Sequence, residues 1–147
     1  MLFRSEIHHP GYRIDDEAKK LDETVNFYTR TLGLELDKSR PTIPGIPGAW
    51  INVGEVGQLH LFGGARPSPV AKGPGQDPTR PHVAFAVKDI LSAKKDLDAM
   101  GVKYWEIAGL TAPDALQIFM DDPCGNMVEL HQIDKCNCRR DNRKARN

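Results

Sequence analysis

Apolar and polar positions along this chain fall into one pattern written twice. Residues 9–16 (HPGYRIDD) and residues 82–89 (HVAFAVKD) alternate residue types with period 2, as a strand with two unlike faces does. His9 stands over His82, Tyr12 over Phe85, Ile14 over Val87 and Asp16 over Asp89. In the second copy Val83, Phe85 and Val87 share one face, while His82, Ala84 and Ala86 share the other. Each copy then changes to a helical period. Leu21, Val25, Tyr28 and Leu32 make one apolar stripe, closed by Gly33. Ile90, Ala93, Leu97 and Met100 make another, opened by Asp89 as N-cap and closed by Gly101. Three short strands follow each helix, near 34–38, 49–53 and 57–62 in the first copy and near 103–107, 115–120 and 126–132 in the second. Turn-forming stretches rich in Pro, Gly, Asp and Asn separate them. The last strands also match: QLHLF (58–62) lies over MVELH (127–131), which sets His60 against Glu129.

The pattern predicts an α+β fold of two βαβββ repeats, residues 5–62 and 81–132. Residues 63–80 between them are dominated by Pro and Gly and read as a linker. Residues 1–133 then form a single domain, a size that one core of 39% apolar residues can fill. The remaining 14 residues, 134–147, carry six basic and two acidic side chains with no apolar period, and read as a disordered basic tail. The chain as a whole has zero net charge, so the body is mildly acidic, which argues against nucleic-acid binding. No apolar run approaches the ~20 residues of a membrane span, and no secretory signal is evident, so a cytoplasmic location is expected. Three cysteines, 124, 136 and 138, make no disulfide framework.

The repeat places His9 and His82 at the start of equivalent strands, and His60 and Glu129 within equivalent last strands. If the two copies pair about a pseudo-twofold axis, these four side chains converge. Imidazole and carboxylate suit one divalent ion: Zn, Ni, Co, Mn or Fe(II). His9, His82 and Glu129 alone form a two-histidine, one-carboxylate set, and His60 makes a fourth ligand. His8 points away from His9 on strand alternation, toward the helix side or the surface. His131 shares the face of Glu129, either as a supporting residue of the site or as a simple edge residue. Arg13, on the face of His9, is a candidate for an anionic substrate, and Trp50, Phe62 and Phe119 are candidates for lining a pocket, although aromatic residues so spaced are usually core. Arg66 and Arg80 flank the linker and would assist if it folded over the site.

The segments HPGYRIDD…LDETVNFYTRTLGLEL, GAWINVGEVGQLHLF, RPHVAFAVKDI and DDPCGNMVELHQ together resemble the vicinal oxygen chelate superfamily, which includes glyoxalase I, bleomycin-resistance proteins, methylmalonyl-CoA epimerase and extradiol dioxygenases. The resemblance implies a cup-shaped mixed sheet around a metal, a homodimer, and ligands at His9, His60, His82 and Glu129. Glyoxalase I usually has a carboxylate at the position of His60, and the epimerases have Gln, so this chain departs from both. Nothing marks glutathione, coenzyme A or fosfomycin recognition. The activity implied is that of a lyase or isomerase acting on a small oxygen-chelating substrate through an enolate or oxyanion, with Glu129 as base. Two alternatives remain: an Fe(II) extradiol-type dioxygenase, and a metal-free small-molecule binding or antibiotic-resistance protein.

Overall fold

The computed structural model describes residues 5–14, 18–133 and 135. The tail beyond Lys135, with Cys136 and Cys138, therefore lies outside the described residues, as does Asp16. The elements run β1 (Ser5–Arg13), α1 (Ala18–Asn26), β2 (Glu35–Leu36), β3 (Gly48–Val53), β4 (Gly57–Phe62), β5 (His82–Val87), α2 (Ile90–Ala99), β6 (Trp105–Ala108), β7 (Leu116–Asp121) and β8 (Met127–Gln132). None of the described helices is long and apolar enough to cross a membrane.

The strands form one mixed sheet in the order β2-β3-β4-β1-β5-β8-β7-β6. Read outward from the centre, both halves have the same order and sense. β1 runs parallel to β4 and β5 parallel to β8, while β1 and β5 meet antiparallel at the seam. This is the duplicated architecture that the sequence pattern predicts.

One face of each half is covered by its own helix. Ile90, Ala93 and Leu97 of α2 pack on Val87, Ile118 and Leu130. Leu21 and Val25 of α1 pack on Ala49, Ile51, Leu59 and Leu61. Each such aliphatic side chain contributes about 1.5–3 kcal/mol when fully removed from water. The α2 ends follow the sequence: the Asp89 carboxylate accepts from the Leu91 and Ser92 amides at 3.0 Å each, and Gly101 closes the helix at φ +66°. Met100, expected on the buried stripe, is the C-cap just past the helix and is exposed.

The end of the first helix differs from expectation. Residues Phe27–Thr31 form a π-helical turn, in which the Leu32 amide donates to the Phe27 carbonyl five residues back. The wider turn rotates Leu32 off the stripe and leaves it exposed, and Leu34 packs on the core in its place. The other face of the sheet, away from both helices, is concave and holds the polar residues.

Candidate metal centre

Strand register alone decides which side chains meet on the concave face. His82 and Ala84 of β5 share it with Glu129 of β8, because Ala84 pairs with Glu129. His9 of β1 pairs with Ala84 from the other side. His60 of β4 lies opposite Gly11, and Gly11 lies opposite His82. Gly11 gives the His82 ring its space: a Cβ there would stand 2.5 Å from His82 Cε1 and 2.7 Å from Nε2.

Three ligand atoms converge. Glu129 Oε2 lies 3.1 Å from His82 Nε2 and 3.4 Å from His9 Nε2, and the two ring nitrogens are 3.4 Å apart. All three residues are buried. The protonation of His82 can be deduced. Its Nδ1 lies 2.6 Å from the Arg80 carbonyl oxygen, which can only accept, so Nδ1 carries the hydrogen. Its Nε2 then faces a Glu129 carboxylate oxygen. At 3.1 Å the two atoms share either a proton or a metal ion. Ligand atoms about 2.1 Å from an ion stand roughly 3.0–3.4 Å from one another in octahedral to tetrahedral geometry, so the donor types and their spacing fit a divalent ion. Together with the Arg80 carbonyl, which orients His82, they have the form of an ordinary metal site.

The electrostatics agree. Burial alone raises the Glu129 carboxyl, but hydrogen bonds to His82 and His9 outweigh it and hold the group well below the usual glutamate range. Burial lowers His9 against the opposing pull of Glu129. Burial, with His9 and His8 adjacent, pushes His60 well down, and burial pushes His131 to about 4. At neutral pH, Glu129 is an anion and these three rings are neutral, which is the state that binds metal.

His60 lies in the same cluster, but its nitrogen does not join the three. Its ring stacks on His9 with centroids 3.7 Å apart and on Trp50 at 4.7 Å, and its Nε2 lies 3.2 Å from Gln58 Oε1. His8 overturns the alternation argument. It is buried rather than on the helix side or the surface, its Nδ1 lies 2.8 Å from His9 Nδ1, and its ring stacks on His131. The cause is a β-bulge: β5 pairs Phe85 with Ile7 and Ala84 with His9, so His8 is an extra residue and both histidines turn to the concave face. His131 is a supporting residue, with Nε2 3.5 Å from Glu129 Oε1 and 3.4 Å from Thr111 Oγ1.

The pocket candidates divide. Trp50 and Phe62 line a small cavity over the three ligand atoms. Its volume of 20 Å³ is room for about one water or ion. Phe119 lies behind it, buried, stacked on Trp105 at 4.3 Å and edge-on to His82. Arg13 anchors the linker: it donates to Thr79 Oγ1 at 2.8 Å, to the Ala65 carbonyl at 3.1 Å and to the Gly64 carbonyl. The linker does reach the site, since Pro78 and Thr79 wall the cavity.

Two glutamines escaped the sequence reading. Gln117 Nε2 donates to Glu129 Oε1 at 2.7 Å, and its buried Oε1 has no hydrogen-bond partner among the described residues. Gln58 connects His60 to the buried Asp37 carboxylate, to which its Nε2 donates. Both sit two residues from a recognised position on the same strand face (Gln58 before His60, Gln117 before Phe119), which is the signal that would have found them.

A family model described as the Glyoxalase/Bleomycin resistance protein/Dioxygenase superfamily matches residues 7–130. The chain belongs to this superfamily. Members commonly bind a divalent metal, and this one brings His9, His82 and Glu129 together as a possible site. No curated protein matches the chain. Its fold is that of methylmalonyl-CoA epimerase from Mycobacterium tuberculosis, with 23% identity, TM-score 0.65, and 89% of each chain covered. It is also similar to the Streptomyces coelicolor methylmalonyl-CoA epimerase in complex with 2-nitronate-propionyl-CoA, with 22% identity, TM-score 0.62, and 90% of this chain and 95% of that one covered. A hypothetical protein from Bacillus halodurans has 23% identity and TM-score 0.64, with 87% and 94% covered.

Proposed function

We propose that this superfamily member is a metal-dependent lyase or isomerase acting on a small oxygen-bearing substrate. The observation that carries the reading is the three-atom convergence of His9, His82 and Glu129, in which a ring nitrogen of His82 faces a carboxylate oxygen at 3.1 Å. These three residues would hold the ion. A bound divalent ion supplies Lewis acidity toward one or two substrate oxygens. The protein supplies the rest. Arg80 and Gln117 fix the orientation of His82 and Glu129. Trp50 and Phe62 give the cavity aromatic walls. Glu129 is the candidate proton acceptor for a hydrogen next to a substrate carbonyl, and Gln117, bonded to its Oε1, holds that carboxylate in place. His60 stands beside the trio as a supporting residue, its Nε2 held by Gln58 and its ring stacked on His9. Ile7 and Tyr12 of β1 and Val83 of β5, exposed on the face opposite the trio, support a homodimer.

One observation favours a second reading. With His60 stacked to the side, His9, His82 and Glu129 are a two-histidine, one-carboxylate set with open positions, the arrangement used by Fe(II) oxygenases. Metal identity separates the readings. Elemental analysis of untagged, chelator-free protein is expected to find a stoichiometric transition metal that His82→Ala loses. Zn, Ni or Co with turnover of 2-oxoaldehyde–thiol adducts supports the lyase or isomerase. Fe with oxygen consumption on catechols supports the dioxygenase. Failure to take up any of these ions on reconstitution would overturn both and leave a ligand-binding cup.

A further inference from the structure

The cavity over the ligand atoms holds 20 Å³, too little for any substrate beyond its chelating end. The remainder of the molecule must lie elsewhere. A second, open cleft of 660 Å³, within the range of small-molecule sites, is lined by the linker next to the first, and Thr79 lines both. Four cationic side chains line it, Arg13, Arg66, Lys72 and Arg80, against one acid, Asp77.

The acid is committed to building the wall. Asp77 accepts from the Ser68 amide and hydroxyl at 2.7 and 2.8 Å and from the Thr79 amide and hydroxyl at 2.9 and 2.8 Å. These bonds fold the linker into an ordered loop, which Arg13 ties to the sheet. Arg80 pairs with Asp121 at 3.1 Å. Arg66 and Lys72 are exposed and have no ion pair among the described residues. A concave surface lined by one sign of charge concentrates ligands of the other.

We propose that the linker cleft is an anion subsite, which receives a phosphate- or carboxylate-bearing tail of the substrate whose oxygen-bearing head enters the metal cup. The word substrate rests on the proposed function; the anion site itself does not. The substrate class is then an elongated, multiply charged oxyanion. The test is isothermal titration of pyrophosphate and of tricarballylate into the protein as purified, at low ionic strength. The arms are wild type, Arg66→Ser/Lys72→Ser and His82→Ala. At least one probe is expected to bind wild type and His82→Ala alike, and to bind the double variant about tenfold or more weakly. A preference for pyrophosphate identifies a phosphate tail, and a preference for tricarballylate a carboxylate tail. Equal binding by the double variant, or no binding of either probe, overturns the subsite. Loss of binding in His82→Ala alone also overturns it, because the probe is then held by the ion, and it leaves the metal reading standing.

Discussion

Gln58 has two polar ends and one consistent way to place them. Asp37 accepts from the Ser39 amide and hydroxyl at 2.8 Å each, and its other oxygen faces Gln58 Nε2. A carboxylate of this kind requires a donor, so the amino end of Gln58 turns to it and the carbonyl end to His60. That carbonyl requires a donor in turn, which places the hydrogen of the neutral His60 ring on Nε2 and leaves Nδ1 as the acceptor. Asp37 thereby sets the tautomer of a histidine it does not touch. Nitrogen-15 NMR is expected to show His60 as the Nε2–H tautomer, and Asp37→Asn, which can present either end to Gln58, to yield a mixture. His60→Ala is expected to bind the ion within about tenfold of wild type, the loss typical of a supporting residue. Coordination of His60 Nε2 in the metal-loaded protein would refute the argument.

At the scale of elements, the site depends on two local irregularities of β1. The bulge at His8 turns two consecutive histidines to one face, and Gly11 leaves a gap that the His82 ring fills. The duplicated βαβββ order was legible in the sequence, because strand alternation and helical stripes repeat at matched positions; the same repeat matched His9, His60, His82 and Glu129, of which three bring their ligand atoms together. The bulge was not legible, since one inserted residue leaves no mark in an alternating pattern. The exposure of Leu32 was hidden for the same reason: a π turn also adds a residue to its element. Gln58 and Gln117 drew no reading from the sequence, and both are buried in the fold. Gly11→Ala tests the gap. Its Cβ would also stand 2.9 Å from Phe62 Cε2, and the Arg80 carbonyl pins the far side of the His82 ring. The substitution is expected to cost about 1–3 kcal/mol by overpacking and to weaken metal binding about tenfold or more, although no ligand is changed. Wild-type affinity in this variant, measured by competition with a chromogenic chelator, would show that the ring position is not set by Gly11.

At the scale of the molecule, the two helices cover the flanks of the sheet, and among the described residues its central seam is left bare. Ile7 and Tyr12 of β1 and Val83 of β5 face the helix side where neither helix reaches, at 70%, 49% and 37% exposure. Ile7 pairs with Phe85 and Tyr12 with Leu61, both on that side, so the three form part of one surface and not scattered exceptions. An apolar strip on the two central strands of a sheet is a surface that a second copy buries at little entropic cost, because strand residues are already ordered. The metal residues lie on the opposite face and come together within one chain, through the β1–β5 pairing. A dimer formed through this strip would therefore be separable from metal binding. Sedimentation is expected to show a wild-type dimer that Ile7→Glu/Val83→Glu converts to monomer, because two carboxylates per chain would be buried without partners at the interface. The monomer is expected to keep its full metal content, since no ligand crosses between chains. A monomeric wild type would remove the seam as an interface. A dissociated variant that loses its metal would show instead that the halves of the site are exchanged between partners.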